Sequence, residues 1–213
     1  MPSISQLAGY EYRFEPGTQP TSPLLLLLHG TGGSENDLVP FARLVAPDAD
    51  ILTVRGNVSE NGAARYFRRI AEGVFDLEDL RVRTEHLGAF LTAAGKRHAF
   101  SMRRVVAIGF SNGANIAASL MLRQPATLRH GILLRAMVPF QPETMPDLKG
   151  SSALVAAGRT DRIIPAENSE RLAAMLRDAG ASVELRWQDA GHSLVQEDVN
   201  DAREFLRAWT ASS

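Results

Sequence analysis

The chain has 213 residues, 45% of them apolar and 22% charged, with a formal net charge of −1, which suits one two-sided core and excludes a basic face for nucleic acid or an anionic membrane. It has no cysteine, so disulfides, thiolate nucleophiles and thiolate metal sites are all excluded, as fits a reducing compartment. Residues 1–6 carry neither a basic nor an apolar leader region, and the longest apolar run, 24–28, is too short to span a bilayer, so a cytoplasmic protein with a single domain over 1–213 is expected.

Residues 9–14 alternate as an edge strand does, and Glu15-Pro16-Gly17 turns the chain back into a polar connection over 18–23. Five consecutive leucines, 24–28, then run into His29-Gly30-Thr31-Gly32-Gly33-Ser34. An apolar run without alternation, too short for a buried helix, reads as a strand covered on both faces at the centre of a parallel sheet. Helical spacing over 37–44, with Asp37 placed to cap it, leads to a strand at 51–54. Residues 57–64 are rich in Gly and Asn and read as a loop, and 66–75 mix Tyr66, Phe67, Ile70, Val74 and Phe75 with arginines. A longer helix is predicted over 77–94. After it come a strand at 105–108, an Ala-rich helix ending before Pro125, and a strand at 131–134. A loop over 136–146, a strand at 152–157, a helix over 166–179 stopped by Gly180, an alternating strand at 183–187 and a closing helix at 198–209 complete the chain. Strands alternating with helices predict a mainly parallel α/β sheet with right-handed crossovers.

Gly109-Phe110-Ser111-Asn112-Gly113 has the G-x-S-x-G pattern, with a strand before it and a helix after it, which is the context of a nucleophile elbow. A Ser on so sharp a turn is held in strained dihedrals, and the flanking glycines let strand and helix close around it. In an open parallel sheet, ligands bind beyond the carboxyl ends of the strands. His29-Gly30-Thr31, Ser111, the loop from Ala136, Asp161 and His192 all fall there. A Ser hydroxyl needs a base within reach. Of the five histidines, His86 and His98 lie on or after a helix, His130 precedes a strand at its wrong end, and His29 is better placed to brace the Gly-rich turn. His192 remains. Its imidazole needs a buried carboxylate to fix the tautomer. Asp161 is the candidate, with Asp189, three residues from His192, and Asp147 as rivals.

Two N–H donors are expected to stabilise an oxyanion, the backbones of Thr31 and Asn112. Phe67, Phe75, Met137, Val138, Ile163 and Leu194 fall in strand-end loops and are read as lining an acyl pocket, each with ordinary anchoring to the core as the alternative. Arg68 and Arg69 are either contacts for an acidic group or solvated charge. The histidines are scattered and no H-x-x-x-H occurs, so no metal or other cofactor is expected.

These segments together resemble the α/β-hydrolase superfamily, and within it the small carboxylesterase/phospholipase group that includes acyl-protein thioesterases and is close to dienelactone hydrolases. The resemblance rests on the Leu run with His29-Gly30-Thr31-Gly32-Gly33, the elbow at 109–114, Gly158-Arg159-Thr160-Asp161 with 162–165, and Gly191-His192, and so covers nearly the whole chain; residues 65–75 also look like bacterial esterases of the group. It implies a twisted, mostly parallel sheet with helices on both faces, no large cap domain, and a Ser111-Asp161-His192 triad. Dienelactone hydrolases use Cys, which this chain lacks. With no large insertion after 131–134, a shallow pocket for short- to medium-chain carboxylic esters is expected. The partner is then a small-molecule ester, with neither nucleic acid nor membrane, and the protein a monomer or homodimer. The alternatives are an acyl thioesterase or lysophospholipase of the same fold, and a non-catalytic binding protein built on it.

Overall fold

In the computed structural model, which describes residues 4–19 and 21–212, the chain enters through β1 (Ser5–Leu7), β2 (Tyr10–Glu15), β3 (Leu24–Leu28), α1 (Val39–Val45) and β4 (Asp50–Val54). Two small hairpins follow, β5 (Val58–Glu60) with β6 (Ala63–Arg65) and β7 (Arg69–Ala71) with β8 (Val74–Phe75). Then come α2 (Leu77–His98), β9 (Val105–Phe110), α3 (Asn112–Arg123), β10 (His130–Leu134), β11 (Ser152–Gly158), α4 (Ala166–Asp178), β12 (Ser182–Gln188) and α5 (Gln196–Ser212). The main sheet has eight strands in the order β1-β2-β4-β3-β9-β10-β11-β12. β2 is antiparallel to both of its neighbours, and the six strands from β4 to β12 are parallel.

The leucine run is explained by two cores rather than one. Leu24, Leu26 and Leu28 point into a layer filled by α2, α3 and α4, whereas Leu25 and Leu27 point into a layer filled by α1 and α5. β9 divides the same way, with Val105 and Ala107 on one side and Val106 and Ile108 on the other. Strand side chains alternate in direction, so a strand with a helix layer on each face needs an apolar residue at every position.

Several element boundaries differ from the sequence expectation. Asp37 does not cap α1: the cap position is Leu38, without a side-chain bond, and the Asp37 carboxylate instead accepts the Ser34 hydroxyl at 2.7 Å. Asp76 does cap α2, accepting the Asp79 N–H at 3.0 Å. α2 runs on to His98, and α5 begins at Gln196. The expected loop at 57–64 is the β5–β6 hairpin. Its turn residues, Asn61 and Gly62, have φ of 51° and 85°, both in the left-handed region that a two-residue hairpin turn needs and that Asn-Gly supplies. Strands of two or three residues are too short to display alternation, which is why β1 and β5 to β8 escaped the pattern. Residues 135–151, between β10 and β11, carry no helix or strand, so no helical cap sits there. Residues 1–3, read above for a leader, and Pro20 of the polar connection lie outside the described residues.

Candidate active site

Ser111 is the hinge between β9 and α3, with φ 51° and ψ −115°. For a residue with a Cβ this backbone is strained by about 1–3 kcal/mol, and the surroundings hold it there. The Ser111 N–H donates to the Leu134 carbonyl at 2.9 Å, and its own carbonyl accepts the Asn115 N–H at 3.0 Å. A Cβ on Gly109 would come within 2.6 Å of the Ala114 backbone, and one on Gly113 would collide with the Leu28 carbonyl. The two glycines are therefore required by the closeness of β3, β9 and α3.

His192 lies in the loop between β12 and α5, and Asp161 in the loop after β11. Two backbone bonds tie these loops together: Arg159 N–H to the Gln188 carbonyl at 2.9 Å and Thr160 N–H to the Ala190 carbonyl at 3.1 Å. Gly158 lets the loops cross, since a Cβ there would strike the Gly191 carbonyl. His192 Nδ1 is 2.8 Å from Asp161 Oδ2, and His192 Nε2 is 3.0 Å from Ser111 Oγ. The Asp161 side chain is 1% exposed, and its other oxygen accepts the N–H groups of Ile163 at 2.8 Å and Ile164 at 3.1 Å. Three nitrogens thus fix the carboxylate. As an acceptor it selects the Nδ1–H tautomer of His192 and leaves Nε2 free to accept the Ser111 hydroxyl. The rivals stand elsewhere: Asp189 is 93% exposed and paired with Arg159, and Asp147 accepts a local N–H from Lys149.

Thr31 follows β3 and Asn112 follows β9, which are neighbouring parallel strands, so both stand at the carboxyl edge of the sheet. Asn112 is the first residue of α3, so its N–H has no acceptor within the helix, and the Thr31 N–H takes part in none of the described turn bonds. The turn carrying Thr31 is braced from both sides. His29 Nε2 accepts the Gly56 N–H at 2.9 Å, which makes Nδ1 the protonated nitrogen and lets it donate to the Gly30 carbonyl at 2.6 Å. Burial pushes the His29 imidazole below its ordinary range, so it stays in the neutral form that this pattern requires. On the other side Arg65, buried in β6, donates to Thr31 Oγ1 at 2.6 Å, and Gly32 N–H donates to the Ala64 carbonyl at 2.9 Å. The Asn112 side chain accepts the Tyr66 N–H at 2.8 Å, and the Tyr66 hydroxyl accepts the His29 N–H at 3.1 Å.

The residues read as an acyl lining divide into three groups. Phe75 and Val138 pack partly buried on the α2–α3–α4 core, and Leu194 does so on the α1–α5 core. Met137 stands near the β7–β8 turn, its Cε 3.7 Å from where a Cβ on Gly73 would lie, and Ile163 is exposed. Phe67 has no exposed surface and meets Phe75 edge-to-face at 5.0 Å, so it backs a wall rather than forming one. Arg68 pairs with Asp76 at 3.1 Å and Arg69 with Glu60 at 2.9 Å; both cations already have carboxylate partners. Among the described residues no group of three His, Asp or Glu side chains is placed to hold a metal ion, and no helix is long and apolar enough to cross a membrane.

Two site residues had no place in the sequence reading. Arg65 sits inside the stretch 65–75, whose hairpins went unseen. Arg135 directly follows β10 and is wholly buried with Asp198. A charge immediately after an apolar strand, and another on the buried stripe of a helix with Ala202, Phe205 and Trp209, were the available signals.

A parallel sheet with crossover helices on both faces, an elbow at 109–113 and a hydroxyl, acid and base at its carboxyl edge define an α/β-hydrolase fold. A family model described as phospholipase/carboxylesterase matches residues 82–210. MhqD of Bacillus subtilis (strain 168) is 47% identical over 194 residues, 91% of this chain and 96% of its own. The crystal structure of the Bacillus cereus carboxylesterase has 45% identity and a TM-score of 0.91, over 93% of this chain and 94% of that one. A carboxylesterase from Mesorhizobium loti has 32% identity and a TM-score of 0.90, over 96% and 98%. The chain belongs to the phospholipase/carboxylesterase family and is a hydrolase of that family.

Proposed function

We propose that this protein is a serine esterase that cleaves short- to medium-chain carboxylic esters through an acyl-enzyme on Ser111. The observation that carries the reading is His192 bridging Ser111 and Asp161 at 3.0 and 2.8 Å. Ser111 Oγ attacks the ester carbonyl carbon while His192 Nε2 takes its proton, and Asp161 stabilises the imidazolium. The carbonyl oxygen becomes an oxyanion held by the Thr31 and Asn112 N–H groups, worth about 3–4 kcal/mol per donor. Collapse breaks the bond to the alkoxide, which leaves with the proton from Nε2. Water then adds to the acyl carbon with Nε2 as base, and the acid departs as Ser111 regains its proton. Met137, Val138, Phe75 and Leu194 flank the acyl side, Ile163 forms its rim, and the uncapped loop at 135–151 keeps it open.

The test is turnover of a chain-length series of p-nitrophenyl esters by wild type and Ser111→Ala, with fluorophosphonate labelling followed by intact mass. The expected outcome is a rate lower by a factor of about 10⁴ or more in the variant, with one adduct, on Ser111, in wild type only. A folded wild type that neither turns over nor takes the label would move the reading to a non-catalytic binding protein.

A further inference from the structure

Arg135 is the largest wholly buried side chain of the described residues, and every donor it owns is used. Nε donates to the Gly191 carbonyl at 3.0 Å. One terminal nitrogen donates to the Ala156 carbonyl at 3.1 Å and to Asp198 Oδ1 at 2.9 Å, the other to the Ser193 carbonyl at 2.9 Å and to Asp198 Oδ2 at 2.8 Å. A guanidinium has five N–H groups in a rigid fork, and here five bonds account for them. Two of the acceptors, Gly191 and Ser193, are the chain neighbours of His192 on either side.

The backbone is bent to make this possible. Arg135 has φ 53°, a left-handed conformation unfavourable for a long side chain, and its own N–H is held by the Ala156 carbonyl at 2.8 Å. Asp198, wholly buried in the first turn of α5, also accepts the Val195 N–H at 2.8 Å, which fixes the far end of the same loop. A buried ion pair contributes little net stability, because desolvation offsets the attraction, and apolar residues of similar size often hold a fold as well or better. Such a pair would fill the space, yet it would leave the carbonyls on both sides of His192 without a donor.

We infer that Arg135 and Asp198 are positioning residues of the reaction: the guanidinium clamps the peptide on each side of His192 and so aims Nε2 at Ser111. The inference rests on the esterase reading given above. The chemistry belongs to Ser111 and His192; the clamp sets their geometry, and its loss lowers turnover without removing any group that touches the substrate.

The experiment compares wild type with Arg135→Lys and Asp198→Asn, using the best ester of the chain-length series. Lysine keeps the charge but has three donors on a flexible stem and cannot reach four acceptor groups. Asparagine differs from aspartate in one group and presents an N–H₂ to the fork, and it serves where Arg135→Lys does not fold. The expected result, in a variant with native circular dichroism and a cooperative melt, is kcat lower by about 10- to 100-fold with KM little changed. Alongside it, the low-field proton resonance of His192 Nδ1–H is expected to broaden or vanish. A folded variant that keeps both the wild-type kcat and that resonance overturns the clamp. Fluorophosphonate labelling of wild type separates the two failures. A wild type unlabelled at Ser111 sinks the esterase reading and the clamp with it, whereas a labelled, active wild type with equally active variants sinks the clamp alone.

Discussion

At the scale of single residues, position in the sheet makes the candidate site legible. Ser111, Asp161 and His192 each follow a strand, and the parallel sheet lays all such ends along one edge, so three residues remote in sequence could be grouped by topology. Asp161, the candidate carboxylate, lies 2.8 Å from the His192 ring, whereas Asp189, so near His192 in sequence, faces solvent beside Arg159. Arg135 and Asp198 stayed hidden because a charged residue reads as surface by default, and only the buried faces around them say otherwise. Gly113 carries the sharpest prediction at this scale. A methyl there meets the carbonyls of Leu28 and His29, both backbone, which cannot swing aside as a side chain would. Gly113→Ala is expected to cost about 1–3 kcal/mol by overpacking, read as a lower urea midpoint at unchanged m. Full stability in that variant would mean that β3 and α3 separate more freely than their contact implies.

At the scale of elements, the strands and helices of the main sheet were readable because each buries a regular stripe, whereas the insertion between β4 and α2 obeys turn chemistry instead of periodicity. That insertion holds the turn after β3 in place. The β5–β6 hairpin supplies Arg65 to Thr31 and the Ala64 carbonyl to Gly32, and so fixes the turn from which one oxyanion donor is proposed to come. Its conformation depends on two successive left-handed residues. Replacing Asn61-Gly62 by Ala-Ala is expected to destabilise the hairpin by about 1–2 kcal/mol. The Gly32 amide proton would then exchange faster with solvent, and kcat would fall with little change in the global melt. Hydrogen exchange at Gly32 that matches wild type would show that the turn keeps its shape unaided.

At the scale of the whole molecule, the edge of the sheet opposite Ser111 carries a group that ties stability to pH. His130 opens β10, at the edge opposite Ser111, with its Nδ1 2.8 Å from Ser152 Oγ and its ring against Trp209. Burial, aided by Arg129, pushes this imidazole from 6.5 down to about 4. Above pH 6.5 neither the folded nor the unfolded chain is protonated there. As pH falls from about 6.5 to about 4, the unfolded chain binds the proton and the folded one does not, so stability is lost across that window. Because water partly reaches the ring, the loss is about 1–2 kcal/mol rather than the full value of the shift. His130→Asn should flatten this acid limb in urea titrations at pH 7 and pH 5; an unaltered limb would assign the loss to other groups. The opposite edge is assembled from distant parts of the chain, Ser111 and His192 being 81 positions apart and Arg135 and Asp198 63 positions apart. Because Asp198 lies in α5, the proposed nucleophile is expected to reach its full reactivity only once that helix has docked. Reactivity toward a brief fluorophosphonate pulse would therefore serve as a stopwatch for the docking of α5, and full labelling of Ser111 is expected to lag behind the return of helical signal.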